Sequence, residues 1–446
     1  MVSWGGVRRE IRPLVALALP LVLGEFGWMM MSIVDSMMVG RVSKEAMGAV
    51  SVGGVLFYAV AVFGMGMMLG LDALVSQAFG AGQRDDCHRS LIGALWIALP
   101  LAPALMLAQW AWIPLLPVFG VNQAVVEAAG PYIRALVWST PPLLAYAAFR
   151  RYLQGMNQVK VVMFALVSAN LVNAAVNWVL VFGNLGCPAL GAEGAGWATV
   201  VSRVYMAGVL VAYAYWWDAR HDRGLRRAVW KPDATRIRAL AALGFPASMQ
   251  IVIEVGVFAL ATTLIGKLDP TSLAAHQIAI NAASFSYMVP LGLGSAAAVR
   301  VGQEVGSGDW RRAADAGWAA IGLGVAIMGA FGVLFVTAPG LVSRAFTPDP
   351  AVIESAVVLL ALAGLFQLFD GAQGVATGAL RGAGNTRTAA VTHLGAYWIV
   401  GLPLGYWLCF PQGWGASGLW MGLCVALMLI GILLLGAWAR ITRRAV

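Results

Sequence analysis

Long apolar stretches alternate with short polar breaks along the whole chain. Most stretches reach the roughly 20 residues that an α-helix needs to cross a bilayer. We therefore predict an all-α polytopic membrane protein. The pattern predicts twelve membrane-spanning helices, called spans 1 to 12 below, near residues 14–39, 47–78, 89–116, 126–150, 161–182, 195–216, 239–265, 273–300, 312–338, 352–380, 388–410 and 416–439.

The chain also repeats itself at a constant offset of 226 residues. The repeated positions pair Pro20 with Pro246, Gly40 with Gly266, Gly66 with Gly292, Gln77 with Gln303, Gly80 with Gly306 and Gly82 with Gly308. Each copy holds six spans, an even number, so each copy begins and ends on the same side of the membrane as a parallel repeat. We predict two pseudo-symmetric six-helix lobes: an N-lobe at 1–220, a cytoplasmic linker loop at 221–238 and a C-lobe at 239–446.

Composition and charge support a membrane protein and set its orientation. Hydrophobic residues make up 60% of the 446 residues and charged residues only 11%, whereas soluble domains carry about 25% charged residues. Most of the 29 basic residues fall in the terminal and inter-span segments on one side, which predicts that both termini are cytoplasmic. The net charge of +9 is scattered over short segments, so a nucleic-acid partner is not expected.

Several kinds of chemistry lack a motif in this sequence. No G-x-x-x-x-G-K-[ST] phosphate loop occurs, so no ATPase activity is expected and an ion gradient is the expected energy source. No Cys or His spacing is typical of a metal site, and no catalytic residue or cofactor is predicted, so the protein is expected not to be an enzyme. His276 and His393 are isolated and are predicted to be buried histidines with satisfied hydrogen bonds.

Acidic residues within the spans are the main functional candidates, because a carboxylate at the bilayer centre costs about 2.5–3.5 kcal/mol on insertion scales. Asp35, Glu254 and Asp370 are predicted to face a cavity. Glu25 has two open alternatives, lining the cavity or pairing within its lobe. Asp72 is predicted to be a structural partner of a loop or a nearby arginine.

Span 5 carries a polar stripe at Asn170, Asn173 and Asn177, which the helical spacing of three and four places on one face. Two readings stay open for this stripe. The asparagines either hydrogen-bond between helices, or form a site shared with Asp35 and Thr199.

The chain resembles the MATE (multidrug and toxic compound extrusion) family, and is most similar to its NorM-type branch. The resemblance covers roughly residues 10–440. It is carried by the segments Ile33-Val34-Asp35, Met38-Val39-Gly40, Ser76 to Gly82, Ala274 to Ile278, Val289 to Gly292, Val301-Gly302-Gln303, Asp370-Gly371 and Gly378 to Gly382.

The resemblance implies a V-shaped antiporter with alternating access that exports amphipathic, often cationic organic compounds in exchange for H+ or Na+. It implies an N-lobe site and a C-lobe pair, the latter a possible Na+ site. Glu25 is unusual for the family and is a candidate for an extra proton carrier. Phe366 stands where NorM-type relatives often have tyrosine, which puts a NorM-like Na+ site in doubt. The N-lobe residues are Asp35, Asn173, Asn177 and Thr199, and the C-lobe pair is Glu254 and Asp370.

The remaining expectations concern the surroundings of this site. A monomer in the bacterial inner membrane is expected, with small organic cations and membrane lipid as its partners. One alternative stays open, a flippase for lipid-linked precursors on a related two-lobe scaffold, which would need a cationic cavity. The residues expected to line the cavity are Gln250, Asn281, Tyr287, Phe366, Gln367 and Gln373.

Overall fold

The computed structural model describes residues 4–117, 122–221 and 224–445, and within these ranges the chain contains helices and no strand. The predicted all-α fold is confirmed. Residues 222 and 223 of the predicted linker lie outside the described residues. The helices that correspond to the twelve predicted spans are Trp4–Val39, Lys44–Met68 with Gly70–Gly80, Arg84–Trp110, Gln123–Val137 with Thr140–Gly155, Val159–Leu180, Ala192–His221, Ala234–Ile265, Pro270–Gly306, Trp310–Thr337, Pro350–Gly382, Arg387–His393 with Leu394–Gly401 and Leu402–Cys409, and Gly415–Ala445. The connections contain the short helices Ile113–Leu115, Asn184–Gly186, Leu225–Arg227 and Pro339–Arg344.

Ten of the helices in the described ranges are long and apolar enough to cross a membrane, and the chain is a multi-pass membrane protein. The other two predicted spans are interrupted. Span 4 breaks at Trp138 and Ser139, where the second piece begins with Pro141 in its first turn. Proline favours a helix start because it lacks the N–H that would bond to the preceding turn. Span 11 contains the π-helical segment Leu394–Gly401.

The repeat found in the sequence recurs in the caps of spans 2 and 8. Ser43 Oγ accepts a hydrogen bond of 3.0 Å from the Ala46 amide, and Asp269 Oδ1 accepts one of 2.8 Å from the Ser272 amide. Ser43 and Asp269 are 226 positions apart. An N-cap of this kind stabilises a helix by about 1 kcal/mol, so the two copies begin their second span by the same device.

The chain divides into two compact units whose bounds differ from the predicted lobes. Unit 1 comprises Met1–Val22 and Met249–Val446, and unit 2 comprises Leu23–Ser248. The first part of span 1 therefore belongs with spans 8 to 12, and the first part of span 7 with spans 2 to 6. The predicted division at the linker follows chain order, so it assigns spans 1 and 7 whole to one lobe each and misses the exchange of their first parts.

Ion pairs and close backbone packing explain these bounds. In unit 1, Arg300 on span 8 donates to both carboxylate oxygens of Glu10 on span 1, at 2.8 and 3.1 Å. In unit 2, Arg236 Nη2 on span 7 lies 2.5 Å from Asp86 Oδ2 on span 3. Residues 10 and 236 are equivalent positions of the repeat. An ion pair thus holds the equivalent part of span 1 and of span 7, but the residue on the span is an acid in span 1 and a base in span 7.

Glycines at equivalent positions allow these segments to approach. A Cβ on Gly66 would lie 2.6 Å from the Ser248 Cα, and a Cβ on Gly292 would lie 2.5 Å from a Val22 side-chain carbon. Both pairs are again related by the offset of 226. No side chain larger than hydrogen fits at either glycine without moving its neighbour.

Spans 8 and 10 of unit 1 pack backbone to backbone through a stripe of small residues. Gly374, Gly378 and Gly382 are four residues apart on span 10, and a Cβ on Gly378 would lie 2.0 Å from the Gly294 carbonyl oxygen. Close approach through small residues at this spacing is a common way to pack helices in membranes. The stripe begins one turn after Asp370 and so fixes the position of that acid against span 8.

We expect Gly378→Ala to destabilise the protein by about 1–3 kcal/mol, because the methyl group overlaps backbone that has no room to move. Melting of the purified protein in detergent measures the effect. Gly322→Ala is the matched control, since a Cβ on Gly322 has open space around it. Equal melting temperatures for the two variants would contradict the packing described for spans 8 and 10.

Candidate functional site

Asp35 is the centre of a buried polar cluster in unit 2. Its Oδ1 accepts a hydrogen bond of 2.6 Å from Asn177 Nδ2, and its Oδ2 accepts one of 3.2 Å from Thr199 Oγ1. Spans 1, 5 and 6 each supply one of these residues, and all three are at least nine-tenths buried. The structure therefore brings together the residues predicted for the N-lobe site.

Asn173 completes this cluster one helical turn before Asn177. Its Oδ1 accepts a hydrogen bond of 3.0 Å from Asn177 Nδ2, and its side chain is fully buried. Two buried polar atoms of the pair, Asn173 Nδ2 and Asn177 Oδ1, have no partner within the described residues. Buried amides normally satisfy such atoms, so the cluster retains one donor and one acceptor for a ligand or an ion.

Asn170, the third member of the predicted stripe, binds backbone carbonyls instead of the acid. Its Nδ2 donates to the Gly27 carbonyl at 3.0 Å and to the Leu166 carbonyl at 2.9 Å. It therefore holds span 5 against span 1. Both readings of the stripe apply, with Asn170 as the helix–helix contact and the other two asparagines at the acid.

Glu254 and Asp370 belong to a second polar cluster, in unit 1, which is connected through Gln373 and His393. Gln250, one turn before Glu254, donates from Nε2 to Glu254 Oε2 at 3.2 Å. Gln373 donates from Nε2 to Asp370 Oδ1 at 3.0 Å and to the Tyr287 hydroxyl at 3.2 Å. Gln373 thereby joins span 10 to span 8, whereas the contact between Gln250 and Glu254 lies within span 7.

Gln367 and Asn281 form no hydrogen bond to either acid within the part of the chain that the structure describes. Gln367 is buried and donates to Ser286 Oγ at 2.9 Å, which is a contact between spans 10 and 8. Asn281 is exposed. Of the glutamines that flank Asp370, only Gln373 binds the acid, because the two point to different neighbours on span 8.

Phe366 fills its position with an aromatic ring that is 3% exposed. It stacks on Trp420 with the ring centroids 6.0 Å apart. A hydroxyl is supplied to the second cluster from span 8 instead, by Tyr287, whose side chain hydrogen-bonds Gln373 and interacts with Glu254.

His393 is a member of the second cluster that sequence reasoning did not find. It is fully buried on span 11, with Nδ1 donating to the Ala389 carbonyl at 2.8 Å and Nε2 lying 3.1 Å from Gln373 Oε1. The same Nε2 lies 3.9 Å from Glu254 Oε2. The only signal in the sequence was a lone histidine in an apolar span.

His276, like His393, is a buried and hydrogen-bonded histidine, as predicted for both. Trp420 Nε1 donates to its Nδ1 at 3.0 Å, and its Nε2 lies 2.8 Å from Thr262 Oγ1. Thr262 in turn donates to the Phe258 carbonyl at 2.9 Å. Both ring nitrogens of His276 therefore have a partner, which is typical of a structural histidine.

Glu25 is paired with Arg150 within unit 2 and lies apart from the Asp35 cluster's hydrogen bonds. The structure therefore favours the second of the two alternatives for Glu25. We expect Glu25→Gln to lower the free energy of unfolding by about 3–5 kcal/mol, because it leaves a buried arginine without its counter-charge. Melting of the purified variant in detergent measures this loss.

A double variant separates pairing from proton transport at Glu25. Glu25→Leu combined with Arg150→Met removes both charges, and we expect it to recover most of the stability and to retain export. A stable double variant that exports nothing would contradict a purely structural Glu25 and would restore its predicted role as an extra proton carrier.

No group of three or more acidic, histidine or cysteine side chains arranged to hold a metal ion occurs within 4–117, 122–221 and 224–445. Each cluster offers carboxylate and amide oxygens, the ligand type that suits hard cations.

Comparison with a family model gives two matches to the family described as MatE, over residues 20–179 and 246–407. The matches begin at Pro20 and Pro246, so they coincide with the internal repeat. Together they cover more than half of the chain.

Curated relatives match nearly the whole chain. The probable multidrug resistance protein NorM of Mesorhizobium japonicum is 36% identical over 445 residues, covering 98% of this chain and 95% of the relative. The protein of the same name from Xanthomonas axonopodis pv. citri is 35% identical over 435 residues, covering 96% and 94%.

Solved structures confirm the fold. The eukaryotic MATE transporter AtDTX14 superposes with a TM-score of 0.86 at 23% identity, covering 99% of each chain. An outward-facing multidrug resistance MATE family transporter of the MOP superfamily superposes with a TM-score of 0.87 at 17% identity, covering 100% of this chain and 99% of the other.

Proposed function

This chain belongs to the MatE family, and on that premise we propose that it exports small organic compounds, often amphipathic cations, across the bacterial inner membrane. The names of the full-length relatives, probable multidrug resistance proteins, support this substrate class. We infer no covalent chemistry and no cofactor. The placement of basic residues supports cytoplasmic termini, and a single chain supplies both clusters, which supports a monomer.

The single observation that carries the proposal is the pair of acid clusters inside membrane-spanning helices. Asp35 in unit 2 and the acids of unit 1, Glu254 and Asp370, are held by amide and hydroxyl donors. Among the described residues no lysine or arginine lies at ion-pair distance from them, and His393 lies 3.9 Å from Glu254. An acid inside a membrane-spanning helix costs free energy, and acids at such positions usually serve transport.

The proposed mechanism is exchange of a coupling ion for the exported compound. A carboxylate holds a proton, a Na+ ion or the compound's ammonium group, but not two of them at once. Entry of the ion from outside neutralises the acid and releases the compound, and the reverse order reloads the acid from the cytoplasm. Na+ binding at Glu254 and Asp370 remains a proposal, with the Tyr287 hydroxyl as the ligand that Phe366 does not provide.

The proposal is tested by loading purified protein into vesicles and following export of a fluorescent organic cation. Export is measured first under an imposed pH gradient alone and then under a Na+ gradient alone. The gradient that drives export identifies the coupling ion. Export driven by either gradient supports the proposal. Absence of a response to both gradients, together with rescue of a cell that lacks a lipid-precursor flippase, would replace the exporter by the flippase alternative.

A further inference from the structure

Arg203 is a buried arginine on span 6, one helical turn after Thr199. It is 8% exposed. Its Cζ lies 4.6 Å from the Phe57 ring centroid and 5.9 Å from the Trp28 ring centroid. Its Nη1 donates to Ser139 Oγ at 2.5 Å, while Ser139 itself donates to the Leu136 carbonyl. The guanidinium is therefore fixed in position by aromatic contacts and one hydroxyl.

The hydrogen-bonding capacity of Arg203 is mostly unused. A guanidinium has five N–H donors, and Ser139 is the one hydrogen-bond acceptor found for it within the described residues. Its Nε is buried and has no partner there. Burying a charge is costly unless it is paired and hydrogen-bonded, so this arrangement calls for an acceptor that is an anion.

Arg150, which is buried, and Arg300, which is half-buried, show the usual arrangement. Arg150 pairs with Glu25, and Arg300 binds both Glu10 and Glu304. Arg203 has no carboxylate at ion-pair distance among the described residues. Thr199, one helical turn before Arg203, donates to Asp35, so the two charged residues belong to neighbouring turns of the same site, but the oxygens of Asp35 are bound by Asn177 and Thr199.

The Asp35 cluster thus holds two opposite charges that are close but not paired. When a cation, whether a coupling ion or an ammonium group, neutralises Asp35, the guanidinium is left as an uncompensated charge. A carboxylate matches it, because the planar guanidinium can donate two parallel hydrogen bonds to the two oxygens of a carboxylate.

We propose that Arg203 is the receptor for a carboxylate group of an organic ligand bound in unit 2. Export of that ligand rests on the proposed function, whereas binding does not. The class of substrate thereby includes compounds that carry a carboxylate beside their cationic group. Chloride or another inorganic anion shares the chemistry, and the experiment separates it from an organic carboxylate.

The test compares two dyes that share one cationic ring system. Rhodamine 110 carries a free carboxylate, and rhodamine 123 is its methyl ester. Fluorescence polarisation measures their binding to the full-length protein in detergent. We expect Arg203→Gln to weaken rhodamine 110 binding about tenfold, the effect of losing about 1.4 kcal/mol, and to leave rhodamine 123 binding unchanged.

Arg134→Gln is the matched control, because Arg134 is an exposed arginine in span 4 of the same unit. It is expected to change the binding of neither dye. If Arg203→Gln does not fold, Arg203→Lys keeps the charge and removes the planar fork, and it should weaken rhodamine 110 severalfold while sparing rhodamine 123. Equal losses for the two dyes, or no loss for either, would overturn the proposal.

Further outcomes separate the carboxylate site from the proposed exporter. Selective binding of rhodamine 110 through Arg203 with no export of either dye under any gradient supports the carboxylate site and contradicts the exporter. Export of both dyes with equal dependence on Arg203 supports the exporter and overturns the carboxylate site. Chloride binding that depends on Arg203, without discrimination between the dyes, would also overturn it in favour of an inorganic anion.

Discussion

Asp370→Asn is expected to abolish gradient-driven export while the protein still folds and inserts. Asparagine retains the shape of the side chain and an oxygen that can accept the 3.0 Å hydrogen bond from Gln373. It cannot release a proton or balance a cation. One charge moved through 100 mV is worth about 2.3 kcal/mol, or about a 50-fold concentration ratio, and this accumulation should disappear.

Vesicle export under an imposed gradient measures the Asp370 effect, and exchange of labelled for unlabelled compound without a gradient shows whether the binding site survives. Glu354→Gln is the matched control, because Glu354 is an exposed acid near the start of the same helix. Export by Asp370→Asn at the wild-type rate would remove Asp370 from the coupling mechanism.

Asp35→Asn is expected to have the second-largest effect, a fall in export of at least about tenfold, because a hydrogen bond to a charged group is worth about 1.5–3 kcal/mol. The new amide oxygen still accepts from Asn177, and Thr199 can donate fully to the Ala195 carbonyl, which lies 3.0 Å away. The fold should therefore be preserved. Loss of export without loss of melting temperature is the expected result.

Glu127→Gln serves as the control for Asp35→Asn, since it removes an exposed carboxylate from span 4 of the same unit. Dye affinity in detergent separates binding from coupling. An Asp35→Asn variant that keeps its export rate, with Glu127→Gln equally active, would assign transport to the acids of unit 1 alone.

The sequence predicts the spans and part of each site for a simple physical reason. A bilayer imposes one length and one polarity on every crossing segment, so apolar runs reveal the helices. The sequence also places Asn173 and Asn177 on one face of span 5, because about four residues make one helical turn. Their link to Asp35 was one of two open readings that the resemblance to a family then favoured, since nothing local connects residues 142 positions apart.

The residues missed by sequence reasoning are those whose role depends on which helices become neighbours. His393 joins the acids of unit 1 only because span 11 lies against span 7. Arg150, the partner of Glu25, is 125 positions away from it in the sequence. Apolar helices look alike in sequence, so hydrophobic pattern alone does not select their neighbours.

The exchange of the first parts of spans 1 and 7 has a consequence for biosynthesis. Glu10 leaves the ribosome early, yet its partner Arg300 is 290 positions away, so the first helix must wait in the bilayer until span 8 has been made. Contacts over such distances in sequence slow folding, and exposed intermediates are where misassembly begins. Neither half of the gene, expressed by itself, encodes a complete compact unit, and we expect each half-protein to need the other for its survival in the cell.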